Sequence, residues 1–242
     1  MNHNNPDSFQ FEKEFEVLSF QIDPSGKLRW SALADLLQEV AWKHADSRDF
    51  GQKLFDQGFM WVLSRFDIQV NEMPSWGDII KIETAGRGIN KLFALREFRV
   101  SNKEKVLAKA MSAWLLLDID KKRPQRPEKV LPSELFQPNL DEKILPEKVP
   151  APNHSIVARN FHVNYSDLDM NNHVNNVSYI RWIEDFCMEN KFPFRSLIIN
   201  YQSEALLGEN IEINFEKDFN KCVISGISNG RMVFTSSVYK KS

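Results

Sequence analysis

The chain has 242 residues, a formal charge of -2 and 42% hydrophobic, 26% charged and 12% aromatic residues, a composition that can bury a core and is unlike disordered, collagen-like or disulfide-framework chains. The near-neutral balance supplies no basic face for neutralising phosphates, so nucleic acid is not an expected partner. Cys187 and Cys222 are the only cysteines, too far apart for a CxxC metal or redox pair; with no run of about 18 apolar residues and no secretory or transit pattern in MNHNNPDSFQFEKEFEV, a cytoplasmic protein without a membrane span is expected.

A short strand opens the chain. Trp30, Leu33, Leu37, Val40, Ala41 and His44 then recur at helical spacing and predict one amphipathic helix. Four β-rich runs follow, WVLSRFDIQV, DIIKIET, KLFALREFRV and KVLAKAMSAWLLLDI, broken at Gly77, Gly86, Gly88 and Ser101-Asn102. Seven of the eleven prolines fall between Pro124 and Pro152, in a charged stretch that reads as a linker. Beyond it the series repeats: a helix from about Val174, with Val177, Ile180, Ile183, Phe186 and Cys187 on one face, and then SLIINYQS, NIEINFEK, KCVISGIS and RMVFTSSVYK. The expected division is therefore an N-terminal domain over 1–120, a linker over 121–152 and a C-terminal domain over 153–242.

The halves overlay. Ile68–Ile82 matches Ile199–Ile213 without a gap, placing Gly77 on Gly208 and keeping the apolar alternation in phase. Upstream, Ile22–Leu33 is laid on Val163–Val174, with about ten extra residues allowed between helix and strand in the first copy. Repeats of this length indicate duplicated domains, and one helix covered by an antiparallel sheet is an α+β layer arrangement.

The copies differ where chemistry is possible. Asp169-Met170-Asn171-Asn172-His173 stands where this overlay puts Leu28-Arg29-Trp30-Ser31-Ala32, and Glu204 stands where the first copy has Met73. In an extended run Asp169, Asn171 and His173 would project to one face, just before a helix whose first N–H groups have no intrahelical partner and can donate to an oxyanion. Glu204 is expected in the strand against that helix, where burial would strengthen it as a base. The bland alternative is that Asp and Asn here merely cap the helix and form Asx turns. A metal site fits poorly: Asp167, Asp169 and Asn171 begin like a calcium loop, but Asn172 stands at the glycine position and Ser178 at the bidentate glutamate position. His162 and His173 have no cysteine nearby. No metal and no cofactor are expected.

DLDMNNHVNNVSYIRWIED (Asp167–Asp185) resembles the signature of the acyl-acyl-carrier-protein thioesterases of plant plastids and bacteria, and Trp61–Thr84, Ala113–Val130 and Asn200–Ala205 resemble segments of that family in the same order. The resemblance implies two tandem hotdog domains, each a long helix wrapped by an antiparallel sheet, with catalysis in the second. It implies release of fatty acid from acyl carrier protein, in fatty acid biosynthesis, with the family's catalytic Asp, Asn, His and Glu falling on Asp169, Asn171, His173 and Glu204. One departure is clear: plant members carry Cys after that Glu in Y-R-R-E-C, whereas this chain reads Tyr201-Gln202-Ser203-Glu204-Ala205.

Ala205 cannot be a nucleophile and no G-x-S-x-G arrangement is present, so attack by water is expected, with Glu204 as base, His173, Asn171 and the helix N–H groups on the thioester, and Asp169 either orienting them or attacking the carbonyl. Trp30, Leu33, Leu37, Trp61, Phe66, Ile68, Ile80, Phe93 and Trp114 are candidates to bound an acyl tunnel in the first copy, against the alternative that they are plain core. Lys121, Lys122, Arg123 and Arg126 form the densest basic cluster and are candidates to dock the acidic carrier protein that the resemblance implies, unless they only solvate a linker. The rivals are a coenzyme A thioesterase, a non-catalytic acyl-binding hotdog protein and, more weakly, a dehydratase. Monomer and homodimer both remain open, since a fused pair supplies its own partner.

Overall fold

The computed structural model describes residues 8–132, 145–153 and 156–240. Helix α1 (Trp30–Asp46) buries the predicted stripe, including Leu33, Leu37, Val40 and His44. A short α2 (Gln52–Asp56), too brief for periodicity to reveal, follows it. Helix α3 (Asn176–Glu189) starts two residues after Val174, because the Asn175 side chain accepts the Val177 N–H and caps it there.

The strands of the first half are β1 (Phe11–Glu16), β2 (Phe59–Val70), β3 (Ile79–Asn90), β4 (Phe93–Asn102), β5 (Lys105–Asp118) and the short β6 (Arg123–Pro124). Those of the second are β7 (Ile156–His162), β8 (Ser196–Tyr201), β9 (Asn210–Lys217), β10 (Lys221–Ser228) and β11 (Arg231–Tyr239). All belong to one antiparallel sheet in the order β1-β3-β4-β5-β2-β8-β11-β10-β9-β7, with β6 paired to β5. The order reads the same from either end, so β2 and β8 form a seam about a pseudo-twofold axis, with Phe66 opposite Ile199 and Ile68 opposite Leu197. Those four side chains are buried at 1% exposure or less, each contributing about 1.5–3 kcal/mol on burial. Each half is thus a helix wrapped by antiparallel strands, the hotdog arrangement, and α1 packs on α3.

The duplication is visible bond by bond. Gly77 N–H donates to Val17 O and Gly208 N–H to Val163 O; Val17 N–H donates to Asp78 O and Val163 N–H to Glu209 O. Gly77 and Gly208 share φ values of 81° and 82°, which a glycine adopts without steric cost. Leu28 N–H donates to Pro74 O and Val174 N–H to Ala205 O, while Arg29 N–H donates to Gln21 O and Asn175 N–H to Asp167 O. The 68–82 overlay therefore holds. The upstream overlay is displaced by five residues: Asp169 corresponds to Asp23, Asn172 to Gly26, His173 to Lys27 and Asn176 to Trp30.

The described ends of the Pro-rich stretch are not free linker. Pro127 is buried, Leu131 packs with Leu54 and Leu116 of the first half, Gln125 N–H bonds Leu116 O, and Val149 is buried with its N–H on Asn200 Oδ1 at 2.7 Å and its carbonyl on the Thr235 hydroxyl at 2.9 Å. Among the described residues no helix is long and apolar enough to cross a membrane.

Candidate active site

The Asp169–His173 run is a tight turn rather than an extended segment. Leu168 bridges Val174, Asp169 N–H donates to His173 O, and Asn172 sits at φ 60° with its N–H on Asp169 O. The Asp169 carboxylate closes the turn by accepting the Asn171 N–H at 2.8 Å and the His173 N–H at 3.2 Å on Oδ1. Asp23 does the same in the first copy, accepting the Ser25 and Lys27 N–H groups at 2.8 and 3.1 Å. Burial pushes the Asp23 carboxyl up, but the Ser25 hydroxyl and these N–H groups together hold it below the ordinary carboxylate range. This aspartate is therefore shared by both copies, and only Asn171, His173 and Glu204 are peculiar to the second, facing Ser25, Lys27 and Met73.

Glu204 lies in the connection after β8 rather than in a buried strand. Its side chain is 55% exposed rather than buried, and its Oε2 is 3.2 Å from His173 Nε2. The turn is anchored from below by buried Asp167, which pairs with Arg181 and accepts the Asn164 N–H at 2.8 Å.

The two helix starts are finished differently. In the first copy Glu184 of α3 reaches across to α1, accepting the Trp30 N–H at 3.1 Å and the Ser31 N–H at 3.4 Å, so an acidic side chain fills the positive end of that helix. The residue related to Glu184 is Gln38, whose side-chain oxygen accepts, among the described residues, only the Asn176 side-chain amide, at 3.3 Å. The Asn176 backbone N–H meets no acceptor among the described residues. Tyr201 steadies the same residue by donating its hydroxyl to the Asn176 carbonyl at 3.2 Å. Gln38, Asn176 and Tyr201 were not among the sequence candidates; the signal for Gln38 and Asn176 is their relation by duplication to Glu184 and Trp30.

A cavity of about 650 Å³ opens from this helix start into the first half, between α1 and the strands β2–β5. Asp169, Asn171, Asn175 and Asn176 line one end; Phe50, Trp61 and Leu131 line the other. His173 and Glu204 are not part of its wall. Of the proposed tunnel residues Trp61 and Trp114 line it. Trp30, Leu33, Leu37, Phe66, Ile68 and Ile80 are instead packed in the main core, because their inward-facing positions hold helix to sheet. Phe93 also lies off the wall, with the Arg65 guanidinium 5.0 Å over its ring.

Lys121, Lys122, Arg123 and Arg126 are exposed around the turn and strand after β5, with Lys121 paired to Asp118 at 2.8 Å. Burial raises both thiols, that of Cys222 to about 11 and that of Cys187 further. Among the described residues no cluster of three or more His, Cys, Asp or Glu is arranged to hold a metal.

Residues 8–134 match the acyl-ACP thioesterase N-terminal domain and residues 151–235 the acyl-ACP thioesterase C-terminal domain. The chain is 29% identical to a chloroplastic palmitoyl-acyl carrier protein thioesterase of Gossypium hirsutum, over 73% of this chain and 47% of that protein. It is 27% identical to oleoyl-acyl carrier protein thioesterase 1 of Arabidopsis thaliana, over 73% and 54%. The chain thus spans about half the length of these curated relatives. It superposes on the crystal structure of an acyl-ACP thioesterase from Bacteroides thetaiotaomicron with a TM-score of 0.83, at 26% identity and covering 95% and 96% of the two chains. Matched across both halves in both sequence and fold, the chain belongs to the acyl-acyl-carrier-protein thioesterase family.

Proposed function

We propose that the chain hydrolyses acyl thioesters carried on acyl carrier protein, releasing free fatty acid, with the chemistry in the second copy and the acyl chain lodged in the first. The observation that carries this reading is the open helix start at Asn176, which lines a cavity of about 650 Å³ and stands beside the turn that holds Asn171 and His173. The thioester carbonyl would sit at that start, polarised by the Asn176 N–H and the Asn171 side chain; an aimed donor of this kind contributes about 10²–10³ in rate. Glu204 would take a proton from the attacking water while His173, 3.2 Å away, holds its carboxylate in place. The thiol of the phosphopantetheine arm then leaves with that proton. Asp169 acts as a positioning residue, since its Oδ1 is engaged by two backbone N–H groups and Asp23 repeats the arrangement where no site exists. In the first copy Glu184 occupies the equivalent helix start, which keeps that copy to binding.

Lys121, Lys122, Arg123 and Arg126 are proposed to receive the acidic carrier. The test is a panel of acyl carrier protein and coenzyme A thioesters of several lengths, assayed side by side. Preference for the carrier-bound series supports the reading, preference for coenzyme A esters reassigns the carrier, and absence of hydrolysis overturns the reading.

A further inference from the structure

The cavity wall is not uniformly apolar. Arg96 on β4 and His44 on α1 both line it and meet in its wall, with Arg96 Nη1 2.8 Å from His44 Nδ1 and donating to Thr84 Oγ1 at 3.2 Å. Arginine is a donor only, so His44 Nδ1 accepts and the ring keeps its proton on Nε2. Burial, reinforced by Arg96 and Arg48, lowers His44 to about 4 and leaves it neutral. The Thr84 hydroxyl donates onward to the Glu97 carbonyl at 2.9 Å. Both Nη1 hydrogens are thereby committed.

The rest of the guanidinium is not. Nε and Nη2 meet no acceptor among the described residues, and none of their carboxylates pairs with Arg96. Its neighbours are satisfied differently: Arg87 pairs with Glu97 at 2.6 Å and Arg99 with Glu83 at 2.7 Å. Burial lowers Arg96 only to about 10, so it remains charged at neutral pH. Arg96 is half-buried and lines the cavity, so these two nitrogens are open to whatever occupies it, as a cation with free donors in fixed geometry.

Resting on the acyl-thioesterase reading, we infer that the cavity takes an acyl chain bearing an oxygen function, hydroxyl or carboxylate, which docks on Nε and Nη2 of Arg96. The position follows from the helix. Gln38 touches Asn176 at the reacting end, and His44 lies six residues further along α1, about 9 Å away at the helical rise. That span is about seven bonds of an extended chain at ~1.2 Å each, which places the oxygen near the eighth carbon.

The test uses N-acetylcysteamine thioesters of octanoic acid, 8-hydroxyoctanoic acid and octanedioic acid, with their hydrolysis-resistant amide analogues for calorimetric binding. Wild type should favour at least one oxygenated chain over octanoyl by about tenfold in kcat/KM and in affinity, as expected for a hydrogen bond to a charged donor. Which arm is favoured identifies the function as hydroxyl or carboxylate. In Arg96→Met the ratio should collapse toward one. Arg96→Lys, which keeps the charge without the planar fork, should retain part of the preference for the diacid, and thermal melts report whether each variant is folded. Equal values for all three chains in wild type, or a preference that survives in folded Arg96→Met, overturns the inference. Binding that discriminates without any thioester cleavage would sustain this inference while refuting the hydrolase reading.

Discussion

Asp169 separates two mechanisms that share one geometry. If it only positions, Asp169→Asn should be mild, because the amide oxygen still accepts the Asn171 and His173 N–H groups that Oδ1 accepts at 2.8 and 3.2 Å. Losing the charge assistance weakens each bond by about half, and kcat/KM should stay within about tenfold of wild type. Asp169→Ala removes both bonds. A lost turn or cap acceptor of this type costs about 1–2 kcal/mol, which lowers Tm by about 2–8 °C in a chain of this size. Loss of placement for Asn171 and His173 should reduce kcat/KM by about 10². Asp23→Ala is the internal control: it removes the matching pair of bonds and should give a similar Tm loss with turnover retained. Steady-state kinetics on an acyl-carrier thioester beside calorimetric melts read both quantities. A fall beyond about 10³ in Asp169→Asn at unchanged Tm would refute positioning and assign the carboxylate to attack on the carbonyl.

Three further outcomes are expected. Cys187→Ala with Cys222→Ala should keep most activity and alkylation should be slow, since both thiols are buried and raised; loss of turnover in a folded double variant would show otherwise. Burial raises Asp67 to about 6, against a weak Gln69 bond and with Glu147 adding to the rise, and its Oδ1 has no partner among the described residues. An unfolded chain therefore releases this proton first as pH increases, so stability should fall between about pH 4 and 6, and Asp67→Asn should stabilise by about 1–2 kcal/mol at pH 8 after allowance for partial exposure; a variant no more stable than wild type in denaturant titrations at pH 8 would remove that carboxyl as a source of strain. Charge reversal at Lys122 and Arg123 should lower kcat/KM and flatten its salt dependence for carrier-bound substrate while sparing a small soluble thioester; equal loss on both would assign the cluster a structural role.

Most of the architecture could be read from alternation. The runs around Ile68, Ile80 and Ile211 alternate because their apolar residues share one buried face, the run around Ile199 is buried on both faces yet keeps the same phase, and Gly77 and Gly208 mark the same left-handed turn. The upstream register was misjudged because apolar residues near a helix start match in several frames. The decisive signal was a polar one, an aspartate three residues before a glycine or asparagine at positive φ, as in Asp23–Gly26 and Asp169–Asn172. Asp169 therefore did not belong to the asymmetry between the copies, whereas Asn171, His173 and Glu204 did. The exposure of Glu204 was missed because the strand ends at Tyr201, and nothing in a linear pattern shows where pairing stops. The cavity wall was harder still: Arg96 and His44 are 52 positions apart, and neither lies in a motif.

The central claim, that the second copy cleaves what the first copy holds, is tested most directly by Glu204→Gln. Turnover of an acyl-carrier thioester and binding of its hydrolysis-resistant amide should be measured on the same folded preparation. The account predicts kcat lower by about 10² or more with affinity within about twofold, because the carboxylate acts on water and not on the acyl chain. Retention of more than about a tenth of the wild-type kcat would contradict it.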